Sequence, residues 1–356
     1  MRILTVIAAL GAGGAEAVAV ELSVAAAAAG HDVVVAGTPG FRVARLRRRG
    51  VEHVPLRLVG RRPADLLASL RRLRRLRRSN APDLVHAHNP KAALVARLAM
   101  GRRVPVVTTL HGVADAEARS AARILRRTSD LVVVVSPHLR DQLVRFGFPA
   151  ERVEVVANTI EPLPSYSRRA ARTELGIPQD AAVALCVARM VDQKRHDLLV
   201  EAWAAARVPG TLLLAGSGPN EARTAAAVAR HGLAADVRLL GERTDVPRLL
   251  AASDVLVLPT RWEGLPISVL EAMGAGVPVV ASRVRGVAEH FGGAARLVAS
   301  ESVSEMATAL EEVLGDDLLR RRMREQGRAL LAREFGSERM VAAYGDLYAR
   351  LRRGSR

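Results

Sequence analysis

Trp262-Glu263-Gly264-Leu265-Pro266-Ile267-Ser268-Val269-Leu270-Glu271-Ala272-Met273-Gly274 lies between two apolar runs, Val255 to Leu258 and Val277 to Ala281. Pro259 ends the first run, and Gly264 and Pro266 are turn-formers. The order is strand, loop, helix, strand. That is the layout of a parallel α/β unit, whose loops carry chemistry at the carboxyl ends of the strands. Glu263 falls on the loop and Glu271 on the helix it opens. Two carboxylates so placed can face one crevice and accept hydrogen bonds from adjacent hydroxyls, such as a sugar or a ribose offers. The alternative is a solvated surface pair. Against it, no other charge stands between Arg261 and Glu271, and Glu271 is followed by small residues suited to close packing.

The same alternation runs along the chain. In the first half the strands are predicted at Ile3–Ala9, Asp32–Ala36, Leu84–Ala87, Val104–Leu110, Leu131–Val135 and Val153–Ala157. In the second half they are at Ala182–Ala188, Thr211–Ala215, Val237–Leu240, Val255–Leu258, Val277–Ala281 and Arg296–Val298. Helical segments separate nearly all of them. Continuously apolar strands between helices mean parallel sheets buried on both faces. A chain of 356 residues is long enough for two such domains. The break is predicted at Glu161-Pro162-Leu163-Pro164-Ser165, giving domains over 1–160 and 161–335 and a basic helix over 336–356. Met1 to Leu10 has the look of a short secretory signal, but its charged region is one Arg and it continues as a strand-to-helix turn; a first strand is the expectation. No apolar run is long enough to span a membrane. The single cysteine, Cys186, excludes an internal disulfide and fits a reducing, cytoplasmic compartment.

The formal net charge is +17, and Lys91 and Lys194 are the only lysines. Arginines gather in the first half, at Arg42, Arg45, Arg47 to Arg49, Arg57, Arg61, Arg62 and from Arg71 to Arg78. Leu70, Leu73 and Leu76 interleave with the last set at the three-residue spacing of an amphipathic basic helix. Such a helix can lie on an anionic membrane surface, and a solvated Arg face is the plain alternative. Nucleic acid is not expected as a partner, because aromatic residues for stacking make up 3% of the chain.

Cys186-Val187-Ala188-Arg189-Met190-Val191-Asp192-Gln193-Lys194 runs from a buried strand into two cations. Arg as a fork and Lys as a point charge suit a diphosphate. An ion pair of this loop with Asp192 is the plain alternative. Gly11-Ala12-Gly13-Gly14-Ala15-Glu16 places Glu where a nicotinamide-binding fingerprint needs a third glycine, which disfavours a dehydrogenase. Gly13 and Gly14 still let backbone amides approach an anion at a helix start.

The Glu263 to Glu271 motif, the Arg189 to Lys194 pair and the Gly-Gly-Ala-Glu turn resemble the retaining GT-B glycosyltransferases of family 4. The resemblance covers nearly the whole chain, with the motifs in order. It implies an α/β GT-B fold: two doubly wound, parallel-sheet Rossmann-like domains facing a crevice, with the C-terminal helix returning to the first. It implies that Arg189 and Lys194 neutralise a leaving nucleoside diphosphate, that Glu263 orients the donor sugar and that Glu271 holds the ribose. Gly264, Leu265 and Pro266 join them. Gly216 and Gly218, in a Gly-x-Gly-Pro turn, line the nucleotide pocket, and Arg243 lies near the base. His111, after an apolar strand in Thr108-Thr109-Leu110-His111-Gly112, stands near sugar and acceptor, while His86 and His88 shape structure or acceptor site. Asn158-Thr159-Ile160-Glu161 departs from the family's Asn-Gly-Val-Asp. The resemblance further implies a metal-independent transfer from a nucleotide-sugar donor, with no cofactor, to an acceptor hydroxyl. The basic first domain points to a lipid-linked or polyanionic acceptor, or to a peripheral place on the inner membrane face. Two rivals are a nucleotide-sugar epimerase of the same fold and a non-catalytic binding protein.

Overall fold

The computed structural model describes residues 1–60 and 62–354. Arg61, one of the clustered arginines, lies outside the described residues. The chain divides into two compact units, the first ending at Asn158 and rejoined by the chain's last helix, the second covering Thr159–Gly336.

Unit 1 runs β1 (Arg2–Ala9), α1 (Gly14–Ala28), β2 (Asp32–Thr38), α2 (Val43–Arg48), β3 (Glu52–Pro55), α3 (Pro63–Ser79), β4 (Leu84–Ala87), α4 (Pro90–Met100), β5 (Val106–Leu110), α5 (Asp115–Thr128), β6 (Leu131–Val134), α6 (Pro137–Arg145) and β7 (Val153–Val155). Its seven strands are ordered β3-β2-β1-β4-β5-β6-β7. Every pairing is parallel. Val132, Val133 and Val134 are fully buried, as residues of a sheet covered on both faces must be. Helices start promptly after strands because the caps are built in. Asn89 accepts from the Ala92 amide at 2.7 Å and Ser136 from that of Leu139, each ahead of a proline whose missing N–H costs nothing there.

Unit 2 runs α7 (Arg168–Glu174), β8 (Ala182–Val187), α8 (His196–Ala206), β9 (Gly210–Ala215), α9 (Glu221–Arg230), β10 (Val237–Gly241), α10 (Val246–Ala252), β11 (Val255–Leu258), α11 (Ile267–Gly274), β12 (Val279–Ser282), α12 (Arg285–Phe291), β13 (Arg296–Val298), α13 (Val303–Gly315) and α14 (Asp317–Glu334). Six parallel strands are ordered β10-β9-β8-β11-β12-β13. The closing helix, α15 (Ser337–Gly354), belongs to unit 1 and packs on α1 and β4. The buried hydroxyls of Tyr344 and Tyr348 fix it, meeting Thr109 Oγ1 and His86 Nδ1, each at 2.7 Å.

Two local expectations are corrected. β3 was not anticipated: Glu-His-Val-Pro is short, half polar and proline-ended, and it forms because it is an edge strand with one partner, β2. The leucine stripe of α3 is not free for lipid. Leu73 is fully buried and Leu70 and Leu76 half-buried against the unit, while the arginines from Arg71 to Arg78 face solvent. A membrane would therefore meet the arginine face and not an apolar one.

The start of unit 2 is held by a buried ion pair. Arg172, with no exposed surface, donates to the carbonyls of Ala252, Pro178, Gln179 and Ala181 and to Asp254 Oδ2 at 2.8 Å. Asp254 also accepts from the Val183 amide at 2.9 Å and from Arg168 at 2.6 Å. Removing one partner of such a pair strands the other in low dielectric, at about 3–5 kcal/mol. Arg172→Met should therefore lower the urea midpoint of unit 2 sharply. Both tryptophans, Trp203 and Trp262, are in that unit and Tyr344 and Tyr348 in the other, so fluorescence excited selectively at tryptophan reads its unfolding. An unchanged midpoint would show the pair to be dispensable.

Candidate functional site

In unit 2 the strand order reverses between β8 and β11, which pair directly, Val255 opposite Ala184 and Leu256 opposite Leu185. From β8 the chain proceeds to β9 on one side, and from β11 to β12 on the other. The loops leaving their carboxyl ends diverge and leave a crevice between them, the usual ligand position in an open parallel sheet. Arg189 and Lys194 follow β8, and Glu263 follows β11.

The structure brings Lys194 and Glu263 into a direct ion pair, Nζ to Oε1, with side chains only 14% and 8% exposed. Lys194 does not pair with Asp192, which instead accepts from Asn220 at 2.8 Å and Arg223 at 3.1 Å. Thr260 Oγ1 lies 3.0 Å from Glu263 Oε1. Gln193 Nε2 donates to the Trp262 carbonyl at 2.6 Å, and the Arg261 amide to the Gln193 carbonyl at 2.9 Å. The two loops are thus cross-tied on both sides of the ion pair. Directly after Lys194, Arg195 takes a left-handed conformation, φ 40 and ψ 46, which for a side chain with a Cβ is strained. Its guanidinium is held by Glu301 and, at 3.1 Å, by Asp197. Arg189 is exposed and makes no ion pair among the described residues.

Beneath Lys194 the surroundings stay uncharged. His196 Nε2 faces Cys186 Sγ at 3.8 Å. Burial first, then the nearby Lys194 cation, lowers His196 to about 4. Burial pushes the Cys186 thiol up to about 12, so it is packing and not a nucleophile.

Gly216 and Gly218, with φ of 144 and 157, are required by the backbone. A Cβ at either would collide with the carbonyl oxygen of Ala188 or Met190. The contact is cemented by Met190 N to the Ser217 carbonyl at 2.8 Å. They therefore bring the loop after β9 onto the loop that carries Arg189. Gly264, Leu265 and Pro266 are buried and lead into α11, where the Val269 and Leu270 amides turn back to the Pro266 carbonyl and those of Ile267 and Ser268 precede the first helical hydrogen bond. Glu271 is half-buried on α11. Arg243 stands apart after the edge strand β10, its fork held by Asp245 at 2.8 and 2.7 Å.

Three residues of this site escaped the sequence reading. Thr260 and Gln193 gave no signal beyond polarity at a strand end and in a loop. Gly286 gave only a glycine at a helix start; a Cβ there would strike the carbonyl oxygens of Glu263 and Gly264, so α12 can approach the Glu263 loop only with glycine.

The histidines and the first glycine loop lie in unit 1. Gly13 precedes α1, whose first residue is Gly14. The Glu16 carboxylate folds over Gly13, so this helix start already holds a negative charge. His86 Nε2 meets Thr109 Oγ1 at 2.7 Å, and His88 Nδ1 meets His111 Nε2 at 3.0 Å with the rings stacked. His111 Nδ1 and His88 Nε2 are buried without a hydrogen-bond partner among the described residues. Burial lowers His111 to about 4 and His86 to about 3, so both rings are neutral near pH 7.

Comparison with known proteins gives this geometry its context. Residues 167–330 match the family model "Glycosyl transferases group 1", and residues 12–162 match "Glycosyltransferase Family 4". The chain is 29% identical to N-acetyl-alpha-D-glucosaminyl L-malate synthase of Bacillus anthracis over 302 residues, 80% of this chain and 79% of that protein. It is 30% identical to alpha-D-kanosaminyltransferase of Streptomyces kanamyceticus over 315 residues, 80% of each chain. Anabaena HepE, solved in complex with UDP-glucose, superposes with a TM-score of 0.86 at 22% identity, over 98% of this chain and 99% of that one. The two parallel-sheet units are those of the GT-B fold.

The buried imidazoles predict a pH dependence. In the folded chain His86, His111 and His196 take up protons only near pH 3 to 4, but in the unfolded chain they do so near 6.5. Between those limits the unfolded state binds more protons, so stability falls as pH drops from 6.5 toward 4. His86→Gln removes one such group. Its calorimetric melting temperature should fall less steeply over that range than that of the wild type, because carboxylate contributions are common to both. Parallel profiles would show His86 to be charged in the fold.

Proposed function

Because the chain belongs to the group 1, family 4 glycosyltransferases, we propose that it is a retaining, metal-independent transferase. It moves a hexosyl group from a nucleoside diphosphate sugar to an acceptor hydroxyl. The observation that carries this reading is the Lys194–Glu263 pair at the reversal between β8 and β11, beside the unpaired Arg189.

In the proposed reaction the bond between the anomeric carbon and the diphosphate breaks and one to the acceptor oxygen forms on the same face. The acceptor proton passes to the departing diphosphate. Charge grows on the diphosphate, and fixed cations aimed at it are the dominant means of lowering such a barrier. Lys194 has three donors, so it holds Glu263 with one and turns the others to phosphate. Arg189 adds a fork. Glu263, fixed by Lys194 and Thr260, presents its second oxygen to a sugar hydroxyl. Gly264, Leu265 and Pro266 deliver the Ile267 and Ser268 amides at the start of α11 to the diphosphate. Gly216 and Gly218 shape the nucleotide wall, Glu271 takes the ribose hydroxyls, and Arg243, with its fork already engaged, borders the base. In unit 1, a neutral His111 serves sugar or acceptor as a hydrogen-bonding group and not as a general base. Gly13 and Gly14, overlain by Glu16, suit a hydroxyl better than a phosphate.

The acceptor in this reading is lipid-linked. The exposed arginines of α3 favour a peripheral position at an anionic, cytoplasm-facing membrane surface, each cation near the surface contributing about 1 kcal/mol. No helix among the described residues is long and apolar enough to cross a membrane.

The test is a thermal-shift titration with UDP, GDP and ADP and their hexose conjugates, in EDTA. One nucleotide should raise the melting temperature of the wild type. Arg189→Gln with Lys194→Gln should abolish that shift. Glu263→Ala should keep nucleoside diphosphate binding but lose roughly 10²–10³-fold in transfer. Nuclear magnetic resonance of the product should show the donor's anomeric configuration. Wild-type transfer by Glu263→Ala, or loss of the nucleotide shift in EDTA, would overturn the assignment.

A further inference from the structure

We propose that the outer helical layer of unit 1 carries a second anion site, a pocket for a multiply charged phosphate ester. It is formed by Arg119, Arg123, Arg126 and Arg145 around the ring of Phe146. The first three stand at i, i+4 and i+7 on α5 and therefore share one face. The fourth comes from the last turn of α6, which packs beside α5.

The turn that ends α6 shapes the pocket. Phe146 and Gly147 close the helix, their amides donating to Leu143 and Val144 carbonyls at 3.1 and 2.9 Å. Gly147, at φ 81, supplies the left-handed step that only glycine takes readily. This sets the Phe146 ring between two guanidinium groups, Arg119 at 5.5 Å and Arg145 at 5.9 Å from its centroid. Cations over a ring face are attracted to it, so the ring holds both arginines in place. The result is a cavity of about 270 Å³ with Ala122, Phe146 and Gly147 as its other lining.

Four like charges converging on one cavity repel each other unless something anionic sits among them. None of the four makes an ion pair among the described residues. Arg126 and Arg145 lie in last helical turns, where a cation complements the helix dipole. Arg119 and Arg123 lie in the body of α5, where it gives them no reason to be. These four are exposed like the arginines of α3, but they come from two helices and gather at one ring, whereas those of α3 form a row along a single helix. Guanidinium forks match the oxygen geometry of phosphate, and Lys is absent from the pocket. At about 270 Å³ it lies just below the usual range of ligand sites, roughly 300–1,000 Å³. That suits one or two phosphate groups on a small body, free in solution or as a lipid headgroup.

The site lies wholly in unit 1 and its test reads binding, so it stands or falls apart from the transferase reading. Tripolyphosphate is titrated calorimetrically at 150 mM salt against protein carrying Arg189→Gln and Lys194→Gln, which removes the donor-site cations. A saturable site is expected. Adding Arg123→Gln and Arg126→Gln should weaken it at least tenfold, since a hydrogen bond to a charged group is worth about tenfold or more. Adding Arg72→Gln and Arg75→Gln on α3, the same change of charge elsewhere, should leave it within twofold. Sedimentation with phosphatidylcholine vesicles containing cardiolipin then separates the sources. If the pocket takes a headgroup, the α5 pair of substitutions weakens vesicle binding more than the α3 pair does and tripolyphosphate competes. If its ligand is soluble, vesicle binding does not respond to that pair. Absence of saturable tripolyphosphate binding, or equal losses from the α3 and α5 pairs, would overturn the proposal.

Discussion

The pairing of β8 with β11 is the constraint on which the candidate site depends. Parallel strands need crossover connections, and a sheet that starts in its middle must send one connection each way. At that reversal the two loops part, leaving a gap at the carboxyl ends of β8 and β11. Everything assembled at the gap arrives by that route. Lys194 and Glu263 are 69 positions apart in sequence and come into contact because their strands are neighbours. Backbone contacts then fix the gap's walls. Met190 binds the loop after β9, Gly216 binds the end of β10 at 2.7 Å, and the Thr260 amide binds Ser282 on β12 at 3.0 Å. A site so stitched to three neighbouring strands is preformed, and a charged ligand entering it meets dipoles that need little reorganisation.

The electrostatics of the gap follow from burial. A cation and a carboxylate with little exposed surface compensate each other, since either alone would face the cost of an unpaired charge in low dielectric. The chain keeps a third charge out of the layer below. His196 is neutral there and Cys186 keeps its proton. The pair is therefore close to neutral as a unit, and Arg189, exposed and unpaired, supplies the net positive charge. In the proposed reaction an incoming diphosphate would meet Arg189 first and then the remaining donors of Lys194, which would couple the position of Glu263 to phosphate occupancy.

Strand periodicity made twelve of the thirteen strands legible, because parallel strands buried on both faces are written as unbroken apolar runs. β3 was lost for the same reason: an edge strand with one partner has no need of such a run, and Glu52, His53 and Pro55 disguise it. Motif spacing located Arg189, Lys194 and Glu263, but not that Lys194 would choose Glu263 over the adjacent Asp192. Loop proximity is a consequence of sheet order, which local sequence does not encode. Gly286 was invisible for a different cause. What demands it is the pair of carbonyls on a loop 22 and 23 residues earlier, and no pattern around Arg285-Gly286 carries that demand. Likewise the leucines of α3 had the right spacing for an amphipathic helix, while the identity of the surface they cover is a tertiary fact.

The distribution of cations bears on the arginine excess. Some arginines do work that requires a wide planar fork. Arg172 gathers four carbonyls and a carboxylate, and Arg97 reaches the carbonyls of Thr128, Gly101 and Val104 together with Asp130. The two lysines stand where oxygens converge on a single point. Lys91 Nζ donates to the carbonyls of Leu58 and Gly60, both at 2.6 Å, and Lys194 holds Glu263. A compact ammonium fits such a point and a guanidinium does not, because its donors diverge. In a chain that otherwise uses arginine everywhere, lysine is kept where geometry excludes the alternative. The exposed arginines of α3 answer to no comparable demand within the fold. The four around Phe146 form a third case, two of them held over its ring and none paired with a carboxylate among the described residues. The second group is a row open to a surface outside the protein, while the third is gathered by the fold into a pocket.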